Sequence, residues 1–292
     1  MSQRPNTPSP ALDPLLPAEI AAACERVGVR KTQMDALSLF VLAILAGAFI
    51  SLGAMFFTIV LAGTGLGWGP TQLLGGVAFS LGLVLVIIAG AELFTGNTLA
   101  VMAWASRKVS TTGVLRSWAI VYVGNFAGAL LTVLLVYASD QWQFNGAQVG
   151  GLAIDIGARK TALGFGEAVA LGILANALVA LAVWLSLSAR SLPGKVLAIV
   201  FPISAFVAGG FEHSVANMYF IPMALFVKAE DAALAASTRD ISDLDWGSFF
   251  VANLIPVTIG NVIGGAVLVG AVYWFVYLRP QVRPPQPPLD GN

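Results

Sequence analysis

Two short stretches decide the fold, GAELFTGN at residues 90–97 and GFEHSVAN at residues 210–217. Both read G-x-E-x-x-x-x-N, and both lie inside long apolar stretches. A second pair, GNFAG at residues 124–128 and GNVIG at residues 260–264, follows in the same order and reads G-N-x-x-G. Two matched pairs in the same order predict that the chain contains an internal repeat.

Composition gives the class of protein. The chain has 292 residues, of which 58% are hydrophobic and only 10% are charged, and its mean hydropathy is +0.84. A soluble globular domain carries about 25% charged residues, so this chain has too few charges to cover a water-exposed surface. We therefore expect an integral membrane protein. The net charge of zero does not favour a nucleic-acid partner, and the single Cys24 cannot form an internal disulfide.

Six long apolar stretches predict six transmembrane helices, because each exceeds the roughly 20 residues that a helix needs to cross the hydrocarbon. A short amphipathic helix is predicted before them, over residues 18–34. Residues 1–17 and 280–292 are polar and Pro-rich and are predicted to be disordered tails, which leaves residues 18–279 as the six-helix domain. The predicted spans are 36–62, 71–102, 113–138, 162–188, 196–227 and 247–278.

The two halves of the repeat hold three spans each. Because three is an odd number, the second half must enter the membrane from the opposite side, which predicts an inverted repeat. Polar residues in the middle of spans 2 and 5 predict that both helices break near the bilayer midplane, at about residues 91–98 and 208–215. The helix ends that result would point positive dipole ends toward the pathway, and these ends suit an anion.

The distribution of basic residues predicts the orientation. The tails and the loops between spans 2 and 3 and spans 4 and 5 hold eleven of the fifteen lysines and arginines. The opposite face holds four, namely Arg159, Lys160, Lys228 and Arg239. The positive-inside rule therefore places both termini in the cytoplasm and the protein in the cytoplasmic (inner) membrane.

Glu92 and Glu212 are the most costly polar residues in the predicted spans, because a carboxylate in hydrocarbon must be satisfied. They could carry protons, or they could hold the helix breaks in shape by accepting backbone N–H bonds. Their symmetric placement favours the structural interpretation. Asn97 and Asn217 fit the same bracing role.

His213 is the only histidine, and Leu93 takes its place in the other half. This asymmetry inside a symmetric frame favours a role in the pore, where histidine can donate a hydrogen bond or a proton. Thr95 lies in the facing break and offers a hydroxyl group, either to the pathway or as a helix N-cap.

Further residues are candidates for the pathway. Lys160 precedes span 4 and could attract anions into a vestibule or lie at the membrane interface. Asn176 in span 4 could line the path or bridge helices. Four apolar residues could form constrictions on either side of His213, namely Phe79, Leu83, Phe94 and Phe206.

The stretches 90–97 and 211–218 together resemble the paired signatures of the formate–nitrite transporter family. The resemblance extends over about residues 20–279 and includes GILAN at 172–176 and NLIPVTIGNVIGG at 253–265. It implies an aquaporin-like six-helix protomer and a homopentamer with one pore in each protomer.

The same resemblance implies roles for individual residues. Thr95 would lie in the loop of broken span 2, His213 would be the central pore residue, and Lys160 would be the positive vestibule residue. The apolar set Phe79, Leu83, Phe94 and Phe206 would fall at or near constrictions.

The resemblance implies a formate channel or a proton-coupled formate transporter, and nitrite or hydrosulfide is the alternative substrate. The expected partners are a small monovalent anion, protons, membrane lipids and further copies of the chain. A neutral-solute channel of the aquaporin type is disfavoured by Lys160, His213 and the lack of paired Asn-Pro-Ala motifs. An enzyme is disfavoured because one histidine and one cysteine offer little for a metal cluster or a nucleophile–base pair. No cofactor or metal is expected.

Overall fold

The computed structural model describes residues 13–279, and these residues form helices joined by short loops, with no strand among them. The predicted C-terminal tail and residues 1–12 of the predicted N-terminal tail lie outside the described residues. Leu15 and Ser188 exchange hydrogen bonds, which tie the start of the described chain to the end of a later helix.

Within residues 13–279, twelve helices follow one another, α4 continues through one tight turn into α5, and a short 3₁₀ helix, Gln141–Gln143, lies between α6 and α7. They are α1 (Pro17–Gln33), α2 (Ala36–Leu61), α3 (Trp68–Ala89), α4 (Phe94–Asn97), α5 (Val101–Ala105), α6 (Thr111–Ala138), α7 (Gln148–Thr161), α8 (Phe165–Ser188), α9 (Leu192–Ala208), α10 (Ser214–Val227), α11 (Asp231–Ala236) and α12 (Trp246–Tyr277).

Five of these helices are long and apolar enough to cross a membrane, namely α2, α3, α6, α8 and α12. The predicted stretches 71–102 and 196–227 are both divided. Helix α3 ends at Ala89 and helical structure resumes at Phe94, while α9 ends at Ala208 and α10 begins at Ser214. These two interruptions contain the matched Glu residues of the repeat.

A glycine in the left-handed region begins each interruption. Gly90 has φ +83° and Gly210 has φ +67°. Residues with a Cβ rarely adopt these angles, whereas glycine does so at little cost. Each glycine thus allows the chain to leave the preceding helix sharply.

Small residues at matched positions let the helices of each half approach closely. A Cβ on Gly128 of α6 would lie 1.9 Å from the carbonyl oxygen of Ile44 in α2, and a Cβ on Gly264 of α12 would lie 2.2 Å from that of Ile173 in α8. Both distances are impossible for a real side chain. The G-N-x-x-G stretches therefore bring α6 against α2 and α12 against α8, where their asparagines reach the interruptions.

Candidate functional site

Asn125 and Asn261 hold the two interruptions in the same way. The Asn125 side chain donates to the carbonyl oxygens of Ala43 (2.8 Å) and Glu92 (2.9 Å) and accepts from the Phe94 N–H (2.9 Å). The Asn261 side chain donates to Gly172 O (2.8 Å) and Glu212 O (2.9 Å), and it accepts from the Ser214 N–H (2.9 Å). Both asparagines are fully buried. Each satisfies the glutamate carbonyl and the first helical N–H of an interruption, which have no helical partner, and ties them to the helix packed alongside.

A lysine, a glutamate and an asparagine form a buried polar cluster at each interruption. Lys31 Nζ lies 3.0 Å from Glu92 Oε2 and 2.7 Å from Asn97 Oδ1, and Asn97 Nδ2 donates to the same carboxylate at 2.8 Å.

The second cluster has the same composition. Lys160 Nζ donates to Glu212 Oε1 at 2.8 Å, and Asn217 Nδ2 donates to Glu212 Oε2 at 2.7 Å. We call these two clusters the Lys31 triad and the Lys160 triad.

The partners of the two carboxylates differ from those that the sequence suggested. Backbone N–H groups were expected to satisfy Glu92 and Glu212, but lysine and asparagine side chains do so, while Asn125 and Asn261 satisfy the backbone. Lys31 was missed as a partner. A signal for it existed, because Arg30-Lys31 precedes the first predicted span of one half as Arg159-Lys160 precedes that of the other.

His213 and Thr95 bring the two interruptions into direct contact. His213 Nδ1 accepts the Ala216 N–H at 3.0 Å and so caps helix α10. His213 Nε2 lies 2.8 Å from Thr95 Oγ1. Because Nδ1 is an acceptor, the neutral ring carries its proton on Nε2 and donates it toward Thr95. This hydrogen bond links predicted pathway residues of the two halves directly, side chain to side chain.

Two cavities lie on opposite sides of this contact. The Lys31-side cavity has a volume of about 290 Å³ and is lined by Lys31, Glu92, Leu83 and others. The Lys160-side cavity has a volume of about 40 Å³, and its lining includes Lys160 and His213. The two cavities share no lining residue, so buried side chains separate them.

Most of the predicted apolar residues lie at this separation. Phe79 and Phe206 line the Lys160-side cavity and meet edge to face, with ring centroids 5.6 Å apart. Leu83 lines the other cavity. Phe94 lines neither of the two and packs edge-on against Tyr122 of α6 at 4.9 Å.

Asn176 is fully buried and bridges helices, since its Nδ2 donates to Asn261 O at 2.6 Å and lies 3.2 Å from Thr98 Oγ1. It lines neither cavity. Of the two interpretations that the sequence left open, the observed contacts are those of a bridge between helices.

The fold and these paired polar clusters define a helical, multi-pass membrane transport protein. A family model described as "Formate/nitrite transporter" matches residues 18–275, and the chain belongs to that family. The resemblance drawn from its signatures is thereby confirmed.

Individual relatives are similar over nearly their whole length. The chain is 44% identical to "Formate channel FocA" of Escherichia coli over 273 residues, which covers 91% of this chain and 96% of that protein. It is 38% identical to "Formate channel FocA" of Haemophilus influenzae, covering 88% and 92%. A solved structure described as "Pentameric formate channel with formate bound" superposes with a TM-score of 0.78 at 44% identity, covering 84% of this chain and 98% of that one.

Proposed function

We propose that this protein is a formate channel of the cytoplasmic membrane rather than an enzyme. The observation that carries the proposal is the His213–Thr95 contact, with a lysine at the cavity on either side of it, Lys31 on one side and the buried Lys160 on the other. A hydroxyl group and a ring N–H can hydrogen bond carboxylate oxygens, while the apolar rings around them exclude hydrated ions. The relatives named as formate channels support the choice of anion.

The proposed architecture follows from the paired interruptions. Residues 18–279 form one domain of six spans in two inverted repeats, and the second and fifth spans break at the bilayer midplane. The eleven-to-four distribution of basic residues supports cytoplasmic termini. Five copies of the chain assemble with one pore in each, as the name of the similar solved structure supports.

Glu92 and Glu212 are proposed to be structural, because each is already held by a lysine and an asparagine. Thr95, His213 and Lys160 contact the anion on its way. Phe79, Leu83, Phe94 and Phe206 form the apolar constrictions that keep water from following it.

His213 has two candidate roles. In the first, it lends a proton to the anion, because the neutral acid crosses an apolar constriction at far lower cost than the anion. In the second, it donates a hydrogen bond from Nε2 and keeps its proton. The bond from the Ala216 N–H to His213 Nδ1 favours the second role in this conformation. A ring that lends a proton must first carry protons on both nitrogens. A proton on Nδ1 would break the bond with Ala216.

Flux into liposomes tests the function. Purified protein is reconstituted, and uptake of formate, nitrite, hydrosulfide and a neutral solute of similar size is compared at several pH values. Formate uptake well above that of protein-free liposomes supports the proposal. Nitrite uptake with no formate uptake would replace it with the alternative substrate, and uptake of the neutral solute alone would contradict both.

The His213→Asn variant separates the two roles of histidine. Asparagine keeps an N-cap acceptor for α10 and a side-chain donor but cannot titrate. Proton lending predicts that the variant loses the pH dependence of formate uptake and most of its rate. Wild-type rate and wild-type pH dependence in this variant would exclude proton lending.

A further inference from the structure

The two arginines next to the triad lysines occupy matched places at the cavities. Arg30 immediately precedes Lys31 and lines the Lys31-side cavity, and Arg159 immediately precedes Lys160 and lines the Lys160-side cavity. Both arginines are exposed, whereas Lys160 is buried. The Arg159 guanidinium lies at the second interruption, with Nη1 3.8 Å from the place where a Cβ on Gly210 would stand.

The triad lysines alone give little net attraction for an anion. Lys31 contacts Glu92 and Lys160 contacts Glu212, so each lysine is balanced by a carboxylate within 3.0 Å. At a distance of several ångströms, a neutral pair attracts an anion far less than an isolated cation does. A positive field at the mouths must therefore come from other groups.

Arg30 and Arg159 have no such compensation. Within residues 13–279, neither guanidinium makes a hydrogen bond or an ion pair, although the side chains of Arg116 and Arg190 do. The carboxylate that lines the Lys31-side cavity is Glu92, which Lys31 already neutralises, and the lining of the Lys160-side cavity includes no carboxylate. The charge of each arginine thus faces its mouth without a balancing partner. On the Lys31 side Lys195 also lines the cavity, whereas on the Lys160 side Arg159 is, among the described residues, the one cation outside the triad in the lining.

We propose that Arg30 and Arg159 are the anion-capturing residues of the two mouths, one for each side of the membrane. This inference rests on the proposed function. A permeating carboxylate meets the exposed arginine first and the paired lysine behind it, and on the Lys160 side it then reaches His213. A charge of this kind raises the rate at which anions enter and leaves the barrier at the buried contact unchanged.

The test uses patches of native membrane, in which all copies share one orientation, with formate as the permeant anion on both sides. At one sign of the voltage the current is carried by formate that enters at the Lys31-side mouth, and at the opposite sign by formate that enters at the Lys160-side mouth. At an ionic strength of about 10 mM, we expect Arg159→Gln to lower the current that enters at the Lys160-side mouth about two- to five-fold. The current in the other direction should change less. Arg30→Gln should lower the current that enters at the Lys31-side mouth, by a smaller factor because Lys195 also lines that cavity.

Matched controls carry the same loss of charge away from the cavities. Arg239→Gln lies on the Lys160 side and Arg26→Gln on α1, and both positions are exposed and line neither cavity. Arg159→Lys keeps the charge and should recover most of the current lost in Arg159→Gln. At about 1 M salt, where the Debye length is about 3 Å, the asymmetry should disappear.

The outcomes are distinct. Opposite rectification in the two glutamine variants at low salt, absent from the controls, supports the proposal. Wild-type currents in Arg159→Gln, an effect no larger than that of Arg239→Gln, or an effect that survives high salt overturns it. A wild-type protein that gives neither a formate current nor formate uptake into liposomes refutes the proposed function instead, so the two failures are distinguishable. If formate uptake occurs without current, as proton lending predicts, the initial uptake rates of the same variants at low and high salt replace the current, with the same outcomes.

Discussion

The Lys31 triad and the Lys160 triad share their residue types, but they differ in burial and in what surrounds them. The Lys31 side chain is 21% exposed and reaches both Glu92 and Asn97. The Lys160 side chain is 6% exposed, reaches Glu212, and lies 5.4 Å from the centre of the Phe220 ring. The first lysine faces a large cavity and the second a small one.

The second triad also has additions that the first lacks. Asn217 donates to Asn253, which in turn donates to the carbonyl oxygen of Lys160, and His213 caps the helix that follows. The matched residues therefore hold both interruptions in the same way, and the residues outside the matched pattern give the second side more hydrogen bonds and a more deeply buried lysine. Each prediction below tests one part of this difference.

The largest expected effect is the loss of the buried lysine. Lys160→Met leaves Glu212 buried without its cation, and breaking a buried pair in this way costs about 3–5 kcal/mol. Lys31→Met should cost clearly less, because water reaches Lys31 and can solvate the carboxylate that remains. The thermal unfolding midpoint of the purified protein in detergent measures both.

A double variant serves as the control for the buried pair. Lys160→Met with Glu212→Gln removes both charges and should recover much of the stability that Lys160→Met loses. Equal destabilisation by the two single lysine variants would mean that the difference in burial has no energetic consequence.

The second prediction concerns the part that the two halves share. Asn125→Leu and Asn261→Leu each remove three hydrogen bonds at an interruption. With about 1 kcal/mol for each bond, both variants should lose about 3 kcal/mol.

The two losses should agree within about 1 kcal/mol, because the bonds and the burial are alike. Val262→Leu, a change of similar size at the half-buried neighbour of Asn261, is the control. A large loss in one half alone would show that the two braces are not equivalent in energy.

The third prediction removes the asymmetry at the histidine. His213→Leu places in the second interruption the residue that the first has at Leu93. Loss of the α10 cap should cost about 1 kcal/mol, and formate uptake should fall with it under the proposed function. His213→Asn should recover the stability, since asparagine is a good N-cap, and an unchanged unfolding midpoint in His213→Leu would show that the cap contributes nothing.

Much of this arrangement could be predicted from the sequence. Composition predicted the membrane class, and the matched Gly, Glu and Asn positions lie at the divisions of the two apolar stretches, because glycine adopts the positive φ of Gly90 and Gly210 at little cost. The pairing of the lysines was not predicted, since each lies 52 or more positions from the triad residue it contacts and only the matched Arg-Lys pairs before the two halves pointed to it. The separation of the two cavities depends on how several aromatic rings pack, which no spacing rule gives.

The smallest expected effect concerns two sets of polar contacts, one between α1 and the loop at Lys108 and one between α7 and the loop at residues 237–239. Glu25 of α1 pairs with Lys108, whose side chain is 53% exposed. On α7, Asp155 accepts from Ser237 Oγ (2.8 Å), from the Thr238 N–H and hydroxyl (2.9 and 2.7 Å) and from the Arg239 N–H (3.1 Å). Asp155→Asn should loosen the loop at residues 237–239 by about 1 kcal/mol, and Glu25→Gln should cost less, because an exposed ion pair contributes little.

The tie at Asp155 also has a predictable pH dependence. Burial raises the pKa of Asp155, but the hydrogen bonds from Thr238, Ser237 and Arg239 outweigh burial and lower it below the usual value. A carboxyl group with a lowered pKa stabilises the folded loop above its ordinary pKa of about 3.9, and this stabilisation is lost as the pH falls through the lowered value.

Two measurements test whether Asp155 holds the loop. Cleavage by trypsin after Arg239 at pH 8 should be slow in the wild type and faster in Asp155→Asn. Asp243→Asn is the control, because Asp243 lies in the same loop and makes none of these bonds, and it should resemble the wild type. Amide hydrogen exchange of residues 237–239, corrected for its intrinsic dependence on pH, should show protection that is constant from pH 7 to pH 5 and falls below pH 4. Protection that does not begin to fall below pH 4, or a cleavage rate in Asp155→Asn equal to that of Asp243→Asn, would show that Asp155 does not hold the loop against α7.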